Sequence, residues 1–145
     1  MSAAFKPGRC FLFRLAKGAD IHERLNAFCR RNKVRCAAIT VIGATEEVRL
    51  GYYDQNRRKY FNRAFKGDME ILSCVGNLTL KDGEPFAHLH AVMGDSKLRV
   101  RGGHLFPGSK VFAAEVYLHE LRGRELVRRP DLQTGLALWP GPFKD

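Results

Sequence analysis

The sequence predicts an α+β domain in which one N-terminal helix packs on an antiparallel β-sheet. One early segment, residues 21–32, has apolar residues at helical spacing. Most of the remaining chain alternates or is rich in β-branched residues, and short turn sequences separate these runs. Strands joined by short turns pair antiparallel. We expect residues 1–145 to form one domain, because this length suffices for one core but not comfortably for two.

A strand and then the helix are predicted near the N-terminus. Arg9–Leu15 is largely apolar and is predicted as a strand. Asp20 followed by Glu23 resembles a capping box, so the helix is predicted over Ile21–Asn32. The residues of this helix that should face the core are Ile21, Leu25 and Phe28. His22 falls off that face, and we expect it to be exposed and without a role.

Strand signals then follow one another to about residue 121. The predicted strands lie within residues 34–44, 47–54, 60–65, 69–80, 86–93, 97–106 and 110–121. Gly43 with Ala44 is expected to end the first of these runs, and Gly102 with Gly103 to break the sixth. Asp82-Gly83 suits the positive φ angles of a tight hairpin, so residues 81–85 are predicted as a turn. The tail, residues 128–145, is rich in turn residues.

Charge and composition narrow the class of partner. Lysine and arginine number 25 against 15 acidic residues, a formal net charge of +10. A basic surface favours an anionic partner such as DNA, although small dispersed clusters are equally consistent with a solvated basic surface. Arg57, Arg58 and Lys59, in a predicted turn, are the candidate nucleic-acid contacts.

The chain has neither a run of about 20 apolar residues nor an N-terminal signal peptide pattern. We therefore expect a cytoplasmic location, or a nuclear one in a eukaryote, and no membrane partner. The four cysteines, Cys10, Cys29, Cys36 and Cys74, form no C-x-x-C pair. Buried, reduced thiols are expected rather than a zinc ribbon or a disulfide framework.

Three histidines in one short segment are the candidate functional residues. His88 and His90 share one face of a strand, with Cα atoms about 6.6 Å apart. His104 follows two glycines, and the hairpin-sized residues 93–97 can bring it beside the other two. Such a group can bind a metal ion, but the spacing alone favours ordinary hydrogen-bonded histidines. Glu115, within an apolar strand, needs a partner, either a histidine or, as we favour, an arginine.

Several motifs in order resemble the PPC domain (DUF296), which is found in plants and prokaryotes. The motifs are Gly76-Asn77, Gly83 with Pro85, His88-x-His90 and Gly102-Gly103-His104-Leu105. The resemblance covers nearly the whole chain. It implies a compact antiparallel sheet with a packed helix and a homotrimer. It also implies that His88, His90 and His104 form a metal cluster, usually with zinc.

The resemblance is to the stand-alone, histidine-bearing branch of the family. Plant members carry a preceding AT-hook with an Arg-Gly-Arg-Pro core. Here Arg122-Gly123-Arg124 is followed by Glu125 and comes after the last long strand, so it is interpreted as a turn. The DNA-binding device of the plant proteins is therefore not recognisable in this sequence.

Two functional hypotheses follow. The first is a trimeric, metal-binding module with a DNA-binding or regulatory role, in which basic residues contact phosphates. The alternative is a zinc-dependent hydrolase in which three histidines hold the ion and Glu115 is the candidate general base. The sequence leaves enzymatic activity open and favours the binding module.

Overall fold

A computed structural model describes residues 3–141 of the chain, and the described part is an antiparallel sheet with one packed helix. Its elements are β1 (Phe5–Leu15), α1 (Ile21–Arg31), β2 (Ala37–Asp54), β3 (Lys59–Lys81), β4 (Glu84–Gly94), β5 (Val100–Leu105), β6 (Lys110–Gly123), β7 (Val127–Pro130) and β8 (Ala137–Leu138). The strand order is β1-β6-β2-β5-β4-β3-β7-β8, and β2 also pairs with β3. The predicted fold class is confirmed. Within the described range, no helix is long and apolar enough to cross a membrane.

Helix α1 begins where its sequence predicts and ends within one residue of the predicted end. The Asp20 side chain accepts a hydrogen bond from the Glu23 backbone N–H at 3.0 Å, which satisfies one of the free donors of the first turn. Arg30 and Arg31 occupy the last turn, where positive charge is favourable. The helix ends one residue earlier than expected, with Asn32 as its C-cap.

The prediction for His22 was wrong. Its side chain is buried, and its Nε2 lies 2.8 Å from the Leu105 carbonyl oxygen. The buried stripe of α1 is Ile21, His22, Leu25 and Cys29. Phe28 is only partly buried and stacks on Phe13. The core-facing stripe therefore includes residue 22, and His22 fastens the helix to the end of β5.

The expected breaks at glycines are irregularities within longer strands. Strand β2 continues through Gly43 and Ala44, and its pairing with β3 shifts between Val41 and Gly43. Gly43 has φ 131°, and a Cβ there would clash with the Ala113 carbonyl. Glycine thus allows β2 to bulge in its pairing with β3 and to lie close against β6 without ending the strand. Strand β5 likewise continues through Gly102 and Gly103.

The turns between strands follow the prediction. Asp82 and Gly83 have φ angles of 53° and 82°, so both adopt the left-handed conformation of a tight hairpin between β3 and β4. Asp95 closes the β4–β5 hairpin by accepting hydrogen bonds from the backbone of Lys97 and Arg99.

The two faces of the sheet differ in burial. Helix α1 and the sheet itself, which curves so that β2 also pairs with β3, cover the core face. This face carries alternate residues of β4 such as Ala87, Leu89 and Ala91. On the outer face, the pairing aligns one row across six strands. That row is Leu12, Tyr117, Thr40, Val75, His90 and His104. The histidines therefore lie on the outer face, not in the core.

Cysteine burial follows the same alternation. Cys29, Cys36 and Cys74 are buried and reduced, as expected. Burial raises the pKa of the Cys29 and Cys74 thiols to about 12, so both stay protonated. Cys10 is exposed, which corrects the expectation that all four cysteines are buried. It pairs with His119 in the β1–β6 ladder and therefore faces outward.

An ion pair joins β1 to β6 near the edge of the sheet. The Arg9 guanidinium donates to both carboxylate oxygens of Glu120 at 2.8 Å, and the Arg9 backbone N–H adds a third bond. These hydrogen bonds from Arg9 hold the pKa of Glu120 at about 2, well below its ordinary 4.5. The stabilisation is therefore present above pH 4.5 and is lost as the pH falls toward 2.

We expect Glu120→Gln to lower the free energy of unfolding at neutral pH by about 1–2 kcal/mol, because a charge-assisted, bidentate pair is lost. Urea denaturation measures this change. Glu46→Gln is the matched control, since its partner Lys17 is 64% exposed, and it should change stability by less than about 0.5 kcal/mol. The difference between wild type and Glu120→Gln should shrink on acidification below pH 4.5. A difference that is constant with pH would contradict this assignment.

Candidate metal centre

The structure brings the three candidate histidines together on the outer face. His90 and His104 are directly paired in the β4–β5 ladder, and His88 lies two residues earlier on the same side of β4. Their ring centroids are 5.0–5.4 Å apart. One nitrogen from each ring lies within 4.8 Å of the others.

Glycines in β2 and β5 allow this approach. Gly51 pairs with His104, and a Cβ on Gly103 would clash with the Gly51 carbonyl. Strand β5 can therefore lie tightly between β2 and β4, as expected from the two consecutive glycines.

Aromatic side chains surround one of the three rings. The His104 ring lies 5.1 Å from Tyr60 and 4.7 Å from Phe106, centroid to centroid. Its Nδ1 is buried and has no hydrogen-bond partner among the described residues. A buried ring nitrogen without a partner is uncommon in folded proteins, and it is the position that a metal ion would satisfy.

The electrostatics of the site favour neutral rings. Burial, with smaller contributions from Arg128 and His90, lowers the pKa of His88 to about 4. Burial also lowers the pKa of His104 to about 4, with further lowering by His88. Both imidazoles are therefore neutral at physiological pH, the state in which a histidine binds a metal.

The donor set fits zinc. Imidazole nitrogen is a common zinc ligand, at 2.0–2.1 Å from the ion, and three such ligands leave one tetrahedral position open. Ligand nitrogens around one tetrahedral ion are about 3.4 Å apart, so nitrogens up to 4.8 Å apart need only small ring rotations to converge. No thiol is within this group of potential ligands.

Arg128 is a buried neighbour of the histidines that the sequence analysis did not single out. Its Nη2 donates to Asn77 Oδ1 at 2.9 Å and lies 3.3 Å from His88 Nδ1, while Nη1 donates to the Ala137 carbonyl. The guanidinium also lies over the Phe86 and Trp139 rings. The only sequence signal was its place among four dispersed C-terminal arginines, since β7 is too short for an alternation pattern.

Two cavities adjoin the histidines. One, of about 760 Å³, is lined by all three histidines together with Tyr53, Arg58 and Tyr60. The other, of about 890 Å³, is lined by His88 and Arg128 together with Cys36, Leu121, Leu138 and Trp139. His88 borders both, so the candidate metal site opens toward both sides of the C-terminal segment.

The remaining candidates lie elsewhere. Glu115 is exposed, pairs with Arg14 in the β1–β6 ladder, and lines neither cavity. Arg14 is its cross-strand neighbour, but within residues 3–141 no ion pair involves Glu115, so the arginine ion pair that we favoured is not formed. The carboxylate is exposed, so it needs no partner.

The three basic candidates occupy the exposed turn between β2 and β3. The Arg57 backbone N–H donates to Asp54, and its guanidinium lies 3.9 Å from the same carboxylate. Arg58 has φ 49° and donates to the Leu132 carbonyl. Lys59 begins β3 and is exposed. Arg58 thus supports the C-terminal segment as well as the basic turn.

Comparison with solved structures gives close matches. A plant- and prokaryote-conserved (PPC) protein from Pyrococcus horikoshii has a TM-score of 0.94 and 36% identity, with 99% of each chain covered. A metal-containing protein from Archaeoglobus fulgidus has a TM-score of 0.92 and 39% identity, covering 97% of this chain and 100% of that one. A candidate DNA-binding protein from Bacteroides thetaiotaomicron has a TM-score of 0.83, with 93% and 96% covered, but at 23% identity it shows the fold alone.

The curated relatives are much longer proteins. The bifunctional protein GlmU of Synechococcus sp. (strain JA-3-3Ab) is 30% identical over 129 residues, or 88% of this chain. The chain spans only 20% and 22% of the lengths of the two GlmU proteins that it matches. The model of the Plants and Prokaryotes Conserved (PCC) domain matches residues 2–122. The chain therefore belongs to the Plants and Prokaryotes Conserved domain family.

Proposed function

We propose that this PPC-domain protein binds one divalent metal ion, zinc in the first instance, through His88, His90 and His104. The observation that carries the proposal is the convergence of three ring nitrogens within 4.8 Å of one another. The buried, unpartnered Nδ1 of His104 supports it. A 39%-identical structure from Archaeoglobus fulgidus is described as metal-containing.

The role of the chain's own residues follows from the sheet. The β4–β5 pairing holds His90 opposite His104, and the rigid ladder fixes the spacing of His88. When bound, zinc would supply a Lewis acid with one position open to a ligand. The residues around it shape access to that position from the two cavities.

The first prediction concerns the ligands. Replacing His88, His90 or His104 singly by Ala should remove stoichiometric zinc, measured by elemental analysis after dialysis against a weak chelator, because two imidazoles bind far less tightly than three. His119→Ala is the matched control, since His119 lies on the outer face of β6 but outside the cluster. Wild-type zinc should be lost as the pH falls toward 4, where His88 and His104 protonate.

The domain itself should survive these substitutions. The apolar face of β4, with Ala87, Leu89 and Ala91, remains unchanged in all three variants. Circular dichroism should therefore match that of wild type. A wild-type protein that takes up no stoichiometric metal when zinc is supplied would contradict the proposal.

We further propose that the protein assembles as a homotrimer through the outer face of the sheet. The family resemblance motivates this, and exposed apolar residues along one row support it. Leu12, Val75 and Tyr117 are 80%, 51% and 47% exposed. Contiguous apolar surface of this kind is typical of a protein interface.

Sedimentation tests the trimer. Wild type is expected to sediment with the mass of three chains at micromolar concentration. Val75→Glu should lower the sedimenting mass toward that of one chain, because it places a charge in the buried interface. Leu132→Glu is the control, because Leu132 is 89% exposed in the C-terminal segment, away from that row. A monomeric wild type would rule the assembly out.

We propose DNA binding as a second, non-specific activity of the basic turn that contains Arg57, Arg58 and Lys59. The net charge of +10 and the exposure of this turn support it. Contacts of this kind go to phosphates and release counterions, so affinity should fall steeply with salt and vary little with sequence.

The double substitution Arg57→Gln with Lys59→Gln isolates the contribution of the basic turn to DNA affinity. It leaves the contact of Arg58 with Leu132 in place. If both side chains contact phosphates, the slope of log K against log salt should fall by about 1.8. Arg24→Gln with Arg31→Gln on α1 removes the same charge elsewhere and should leave the slope nearly unchanged. An absence of binding at low salt would leave the charge as a solubility feature.

The hydrolase alternative receives no support from the cavity that holds the three histidines. Its described lining residues include no carboxylate, and Glu115, the candidate base, lies away from it. A binding role therefore remains the proposal. Three buried, reduced cysteines support placing the protein in the reducing cytoplasm or nucleus.

A further inference from the structure

Arg128 is a buried cation that has no counter-ion among residues 3–141. It is 7% exposed, and its Nε has no hydrogen-bond partner within the described chain. Within the described residues, its acceptors are the uncharged Asn77 amide, the Ala137 carbonyl and one nitrogen of His88. Among residues 3–141, no aspartate or glutamate forms an ion pair with it. Buried charges in proteins are normally paired, so this arginine requires an explanation.

Within residues 3–141, the surroundings of Arg128 offer a site for a further cation and no carboxylate that is free to pair with it. Three histidines that can take a divalent ion lie beside it. Among the described residues that line the two cavities, the one carboxylate is Asp131. Its Oδ2 already accepts from the Thr134 backbone N–H and hydroxyl. A site loaded with metal would thus hold a cation and a guanidinium with no acid among the described residues to balance them.

His88 links the two groups. Where Arg128 Nη2 donates to His88 Nδ1, the ring proton lies on Nε2, so that ring presents no free lone pair to a metal. Binding of a metal through either nitrogen removes the acceptor that Arg128 uses, because Nδ1 then carries either the metal or a proton. Metal binding therefore frees a further donor on Arg128, next to an unpartnered Nε.

We propose that the cavity beside His88 and Arg128 binds a small organic anion. Its carboxylate pairs with the guanidinium of Arg128, and its apolar body lies against Leu121, Leu138 and Trp139. Arginine suits this ligand, because its planar fork binds a carboxylate in a bidentate manner. The cavity of about 890 Å³ lies within the usual range for small-molecule sites. The inference extends the proposed metal function, since the anion is held beside His88, but the Arg128 contact itself requires no metal.

A purely structural role is the competing explanation. Arg128 ties β7 to β3 through Asn77, and it packs between the rings of Phe86 and Trp139. A structural arginine would leave ligand affinity untouched when it is replaced in a folded variant. Ligand binding, rather than stability, is therefore the measurement that separates the two roles.

Isothermal titration with phenylacetate tests the site, on both metal-free and zinc-loaded protein. Phenylacetamide, which has the same shape without the charge, and inorganic phosphate, which has charge without an apolar body, are the comparison ligands. We expect phenylacetate to bind to both protein forms, more tightly to the zinc-loaded one, and more tightly than either comparison ligand. Equal binding of phosphate would overturn the organic-anion assignment, and no binding of phenylacetate to either form would overturn the site.

Substitution of Arg128 identifies the contact. Arg128→Gln should weaken phenylacetate binding at least about tenfold, because a charge-assisted pair is lost. Arg128→Lys keeps the charge without the planar fork, so its affinity for phenylacetate should lie between those of wild type and Arg128→Gln. It also tests the contact if Arg128→Gln does not fold. Arg124→Gln is the control, since Arg124 is exposed beyond β6 and lines neither cavity. Unchanged affinity in a folded Arg128 variant would overturn the proposal.

Zinc affinity gives an independent reading. The zinc affinity of Arg128→Gln should rise severalfold, because a positive charge and a competing donor beside His88 are removed, while its affinity for phenylacetate falls. Replacement of a purely structural arginine would not produce these two opposite changes. Failure of wild type to bind zinc would refute the metal proposal, and phenylacetate binding by the metal-free protein would still test Arg128. Zinc binding without any anion binding would refute the present inference alone.

Discussion

The register between β4 and β5 is the constraint on which the candidate site depends. It places His90 directly opposite His104, and the period of two along β4 then puts His88 on the same side. A slip of one residue would turn the histidines of either strand into the core and would expose Leu89 and Ala91. The apolar face of β4, packed beside α1, therefore fixes the register that the histidines need. The close approach of Gly103 to the Gly51 carbonyl locks β5 in place from the other side.

Electrostatically, the site combines neutral donors with an uncompensated cation. Partial burial keeps His88 and His104 uncharged, since it lowers the pKa of each to about 4. Arg128 contributes to that lowering, and its own pKa is lowered by burial. The same low-polarity surroundings that keep His88 and His104 neutral also raise the free-energy cost of burying the Arg128 guanidinium without a counter-ion among the described residues. A carboxylate bound beside the proposed metal would balance the charge of the metal and that of the Arg128 guanidinium. This shared requirement for an anion is the physical link between the metal proposal and the anion proposal.

The outer face of the sheet is where the proposed functions meet. The row from Leu12 to His104 runs from exposed apolar residues to the candidate metal ligands. Assembly through the apolar part would leave the histidines near its boundary, while α1 covers the opposite face. The C-terminal segment, held by Tyr53 and Arg58 through the carbonyls of Thr134 and Leu132, divides the space above the histidines into two cavities.

The sequence by itself determined the elements whose signals are local. The Asp20 cap, the Asp82-Gly83 turn and the alternation of β4 each depend on a few neighbouring residues, so the helix, the hairpin and the shared face of His88 and His90 were predictable. The convergence of His104 was an inference from loop length and family resemblance. Tertiary structure alone decided the rest. His22 is buried because Leu105 returns to meet α1, and β2 continues through Gly43, where the Ala113 carbonyl of β6 leaves no room for a side chain. Arg128 reaches His88 because β7 pairs parallel to the end of β3. These contacts join residues that are 40 or more positions apart, as between His88 and Arg128, and no local pattern encodes such a contact.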